Sequence, residues 1–73
     1  MSPHDLVFRA ATTVWNVQCR LDTLSALLAE AGEYRLGTAE WLREREEDFG
    51  PIFDGLTEAA GILHAAITDL EGT

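Results

Sequence analysis

The sequence predicts an all-α fold: an antiparallel helical hairpin of two long helices, dimerising with a second copy into a four-helix bundle. Two heptad runs and the short glycine-bearing connection between them carry that prediction. With 73 residues there is room for one helical domain and no second core. At this size the gain from burying one seam roughly cancels the cost of ordering the chain. A lone hairpin would be marginal, which is the reason for expecting a second copy.

Helix one begins with a start signal. Ser2 can cap, Pro3 suits the first helical position, and Asp5 stands where the third residue of a capping box belongs. From there Val7, Ala10, Val14, Val17, Leu21, Leu24, Leu28 and Ala31 follow one another at alternating spacings of three and four, the pattern of a heptad seam. Gly32 can adopt the left-handed conformation that ends a helix, so helix one covers about residues 3 to 31, roughly 43 Å at the α-helical rise. Residues 32 to 38 form the connection, and Thr38 can cap the second helix.

Helix two is predicted over about residues 39 to 71. Leu42, Arg45, Phe49, Ile52, Leu56, Ala59, Leu63, Ala66 and Leu70 repeat the same spacing. Gly50-Pro51 interrupts it, since an interior proline loses a hydrogen bond and crowds the preceding turn at a cost of about 3 kcal/mol. A kink or a break is therefore expected near Gly50-Pro51, and the phase kept across it favours one kinked helix. Leu21, Leu24, Leu28, Leu56 and Leu63 are the residues expected to hold the fold.

Apolar residues also lie outside the seams. Phe8 and Trp15 are seven residues apart and point away from helix two, with Cys19 one turn after Trp15; Phe53, Ala60 and Ile67 make a second row on helix two. Phe8, Trp15, Cys19, Phe53 and Ile67 are the candidate interface. They either complete the core of a homodimer, since twofold dimers are the commonest oligomers, or dock a different protein. Trp15 and Trp41 could wall a small-molecule pocket, but the alanines at 59, 60, 65 and 66 suggest close packing instead.

Thirteen acidic residues against five basic ones leave a net charge of −8, which opposes direct binding to nucleic acid or anionic membranes. The acids cluster. Glu40, Glu44, Glu47, Asp48, Asp54 and Glu58 recur along helix two as an acidic face. Its plain explanation is a solvated surface; its functional one is a set of carboxylates standing where a basic groove expects phosphates. Arg43 and Arg45 offset part of the repulsion among them.

Chemistry-bearing motifs are missing. No Glu-x-x-His, glycine-rich phosphate loop, Gly-x-Ser-x-Gly or Cys-x-x-Cys occurs. His4 and His64 are expected at the surface, and Cys19 as a buried or half-buried apolar residue. The expectation is a non-enzymatic interaction module with no cofactor and no metal, forming a homo-oligomer, a dimer first, and binding a protein partner, possibly one with a basic surface. The alternative is an acidic inhibitor of a nucleic-acid-handling protein, of the phage anti-defence type. A single cysteine, no secretion signal and no apolar run of membrane length make the cytoplasm the expected compartment.

Overall fold

The computed structural model describes residues 2–72. Every regular element among them is α-helix: α1 Pro3–Glu33, α2 Ala39–Glu47 and α3 Phe49–Glu71. Rising positions on α1 meet falling positions on the rest of the chain. Ala31 shares a depression with Trp41, Leu24 one with Ile52, and Ala10 one with Leu63, so the arrangement is an antiparallel hairpin. It is a rod of 56 × 16 × 14 Å with a radius of gyration of 16.8 Å, against about 11 Å for a compact chain of this length. Among the described residues no third layer covers the pair.

The ends of the helices follow local chemistry. The Asp5 backbone N–H donates to Ser2 Oγ at 3.2 Å and the Ser2 backbone N–H donates to Asp5 Oδ2 at 3.3 Å, closing the capping box. Hydrogen bonding with the Ser2 side chain, then with its backbone, holds the Asp5 carboxyl below the usual carboxylate range. Thr38 Oγ1 accepts from the Trp41 N–H at 3.1 Å and so caps α2.

Gly32 does not end α1. The helix continues through Glu33, and the residue that turns left-handed is Arg35, at φ 52°. The Leu36 N–H donates to Ala31 O at 2.8 Å and the Arg35 N–H to Gly32 O at 3.4 Å. This is the Schellman pattern, with Leu36 beside Ala31 in one depression as its apolar contact. Gly37, at φ 98°, completes the turn toward Thr38.

Helix two is slightly bent at Asp48, three residues before Pro51. Proline has no N–H to offer the Glu47 carbonyl, and its ring crowds that carbonyl; α2 ends at Glu47. Asp48 keeps right-handed helical angles (φ −64°, ψ −16°), and its N–H is shared between the Glu44 and Arg45 carbonyls at 3.2 and 3.1 Å. The helical sense, and with it the heptad phase, passes through.

Burial departs from the predicted seam. The buried residues are Ala10, Val17, Leu24 and Ala31 on α1 and Ile52, Ala59 and Ala66 on α3, one position per heptad on each helix. Leu28 and Phe49 pack against the cluster of Val17, Leu24 and Ile52. The expected partner row, Val7, Val14 and Leu21 with Leu56, Leu63 and Leu70, is left 41–51% exposed. Of the five leucines expected to hold the fold, only Leu24 is buried and Leu28 half-buried.

Gly55 accounts for the difference. On a helix, residues three and four ahead of a given position fall on opposite sides of it, about 60° and 40° away. The valines and most of the leucines stand on the plus-four side of the buried row, with Leu6 and Leu27 on the plus-three side. On the plus-three side stand Thr13, Gly55 and Ile62, all half-buried. A Cβ at Gly55 would run into Val17 Cγ2. The helices have closed on the side where a side chain is missing, and around Gly55 that roll leaves Val7, Val14, Leu21, Leu56 and Leu63 outside the seam, while nearer the connection Leu28 and Phe49, also on the plus-four side, stay packed on it.

Such packing makes the interior glycines respond differently to alanine. Gly61 has open space where its Cβ would stand, so Gly61→Ala should stabilise by about 1 kcal/mol, the helix-propensity difference, raising the melting temperature by about 4–8 °C. Gly55→Ala gains the same propensity but overpacks a β-branched neighbour whose rotamer is stiff, and should lose about 1 kcal/mol net. Equal gains at both positions in thermal denaturation would contradict the close approach. Arg35→Gly should stabilise by about 0.5–1 kcal/mol by relieving a left-handed non-glycine residue; a lowered melting temperature would contradict the turn geometry.

Candidate interaction surfaces

Both helices are two-sided, and the antiparallel pairing puts like sides together. The plus-four side of α1 meets the plus-four side of α3: Val7, Val14, Trp15 and Leu63 line one depression. The plus-three sides meet on the other face, where Cys19, Arg20, Thr23, Leu27, Asp48 and Pro51 line another. Each candidate residue can be placed on one of these two faces from its register.

Phe53 and Ile67 follow the buried Ile52 and Ala66 by one residue, about 100° round on the plus-four side, and are 63% and 51% exposed. Phe8 and Trp15 precede Ala10 and Val17 by two, about 160° round on the same side, at 75% and 64%. The ring of Phe53 lies 6.4 Å from that of the half-buried Phe49, tilted by 31°. The plus-four face thus runs from the outer edge of α1 to the outer edge of α3 with aliphatic side chains between.

Glu40, Glu44, Glu47, Asp48, Asp54 and Glu58 all fall on the plus-three side of α2 and α3, between about 60° and 160° from the buried row, and all are exposed. Spacing alone orders the acids and the apolar candidates along their helices; the fold parts them onto two sides. Glu46, one residue after Arg45, is the acid of α2 that stands on the plus-four side.

Cys19 is exposed, not the buried or half-buried residue expected. Trp15 and Cys19 are one turn apart on the outward side of α1, straddling the line between the two faces. Cys19 lines the plus-three depression and Trp15 the plus-four one. Spacing alone groups them; the position of α3 separates them. His4 and His64 are exposed.

Arg45 is a feature that composition alone does not reveal. It occupies the buried row one heptad before Ile52, and its guanidinium carbon lies 5.2 Å from the centre of the Trp41 ring, within cation–π range. Its Nε is 2.9 Å from Asp48 Oδ2 and its terminal nitrogen 3.7 Å from Glu44 Oε2. The Nε contact pairs charges without a directed hydrogen bond. Arg45 thereby closes the seam at the bend and neutralises part of the acidic face.

The hydroxyls of Thr12, Thr13, Thr23, Thr57 and Thr68 each donate to the carbonyl four residues earlier at 3.0–3.1 Å, so they serve their own helices. Among the described residues no group of three or more His, Cys, Asp or Glu side chains could hold a metal ion, and no helix is long and apolar enough to cross a membrane. What the molecule offers is an apolar plus-four face and a plus-three face on which six carboxylates flank a depression lined in part by Leu27 and Pro51. Comparison with protein-family models, with curated proteins and with solved structures finds no match for this chain.

Proposed function

We propose that this chain is a non-enzymatic protein–protein interaction module of the cytoplasm. It is an acidic helical hairpin that self-associates, two hairpins forming a four-helix bundle, and that binds a protein partner without a cofactor. The observation that carries this reading is the division of its surface: exposed aliphatic and aromatic side chains on one face, six exposed carboxylates on the other. Apolar patches of that extent mark interfaces. The small seam of the single hairpin, four of whose seven buried residues are alanine, leaves stability to be gained by association.

A second reading is favoured by the grouping of Glu40, Glu44, Glu47, Asp48, Asp54 and Glu58 on one side. In it the chain is an acidic inhibitor whose carboxylates occupy a basic, nucleic-acid-binding groove of the partner. The two readings differ in salt dependence and in which residues matter.

Sedimentation equilibrium at low and high salt tests the first. Self-association through an apolar face should persist or strengthen at high salt, where repulsion between two chains of charge −8 is screened. A monomer at every concentration contradicts it. Reversing Glu40, Glu44, Glu47 and Asp48 to Lys should leave the dimer intact; loss of a salt-sensitive complex with a basic nucleic-acid-binding protein in that variant would support the second reading.

A further inference from the structure

We infer that the occupant of the plus-four face is a second copy of this chain, packed face to face about a twofold axis through the aliphatic row rather than through Phe8 and Trp15. The inference rests on the self-association proposed above and names the surface that performs it.

Area is the first argument. Val7, Val14, Leu21, Leu56 and Leu63, each 41–45% exposed, form the middle of the face. With Leu42 and the shoulder residues Phe53 and Ile67 they offer on the order of 700 Å² of apolar side-chain surface, close to the ~800 Å² that each partner of a stable complex buries.

Charge is the second. Two chains of net charge −8 repel, and they can approach closely only where neither carries charge. From Val7 to Leu28 on the plus-four side of α1, and from Leu42 to Ile67 on that of α2 and α3, the charged residues within about 100° of the buried row are Glu46 and, on the row itself, Arg45, which is paired with Asp48 and Glu44. A basic partner, by contrast, would be drawn to the opposite face. A twofold dimer brings identical patches together, and a face this sparsely charged is self-complementary in that sense. It would also turn both acidic faces outward.

Phe8 and Trp15 stand about 160° from the buried row, so a copy lying flat on the face meets the aliphatic row first and the Trp15 ring only at the edge of the depression it lines with Val14 and Leu63. They flank the bundle. This relocates the interface from the aromatic pair to the row that heptad spacing assigns to the intramolecular seam.

The test uses the full chain. Leu63→Cys and Glu58→Cys, each in a Cys19→Ser background, change exposed positions, and circular dichroism checks that each variant stays helical; thiol labelling is followed while protein concentration is raised, with sedimentation on the same samples. The thiol at position 63 should label about tenfold more slowly at high concentration, recovering on dilution, while that at position 58 does not change. Leu63→Glu should sediment as a helical monomer, and the double variant Phe8→Ser, Trp15→Ser as a dimer. If the chain is dimeric but position 63 labels as fast as position 58, or if only the aromatic variant dissociates, the assigned face is wrong while the self-association stands. If the wild-type chain is monomeric up to millimolar concentration, both fall.

Discussion

Where α3 crosses the middle of α1, Gly55 leaves no room for a Cβ against Val17 Cγ2, and most of the structure can be traced from that approach. A glycine in a helix interior costs about 1 kcal/mol relative to alanine, so its place here has to be offset by contact. The contact is backbone against side chain, closer than two side chains allow, and it draws the helices together on the plus-three side of the buried row. Ala10, Ala59 and Ala66 extend the same close spacing toward the open end. The larger residues Val17, Leu24 and Ile52, with Leu28 and Phe49 packed on them, fill the seam toward the connection.

A seam built from small residues buries little, and the roll that makes it possible turns the valines and leucines outward. The same roll decides the character of both faces. On one, Val7, Val14, Leu21, Leu56 and Leu63 are left half in water beside Phe53 and Ile67; on the other, six carboxylates line α2 and α3. Arg45 marks the end of this arrangement. It holds the buried-row position where the chain bends, and it lies over Trp41 while pairing with Asp48 and Glu44. The bend itself comes from Pro51, which acts one turn earlier, at Glu47 and Asp48, because the group it disturbs is the carbonyl four residues back.

The helices were legible in the sequence wherever the signal was local. Ser2, Pro3 and Asp5 mark the first turn of α1, Thr38 marks the start of α2, and the phase kept across Pro51 predicts a bent helix rather than two independent ones. The end of α1 was not, because glycine preference points to Gly32, whereas the hydrogen bonds of Leu36 and Arg35 favour a turn three residues later at a non-glycine. The choice of seam was not legible either. Spacings of three and four are shared by both sides of a buried row, and hydrophobicity favours the leucine side; the small residues Thr13 and Gly55 on the opposite side are the signal for the other choice. The clustering of acids was readable from spacing, but its separation from Phe8, Trp15, Phe53 and Ile67 depends on where α3 lies, as does the parting of Cys19 from Trp15.

A double-mutant cycle between Val17 and Gly55, read by chemical denaturation at fixed protein concentration, tests the close approach most directly. Val17→Ala removes the methyl that a Cβ at position 55 would strike, so the penalty of Gly55→Ala should vanish in that background, giving a favourable coupling of about 1 kcal/mol or more. Additive effects within about 0.3–0.5 kcal/mol would mean the two residues do not meet, and the account of the rolled seam and its outward leucine row would be wrong.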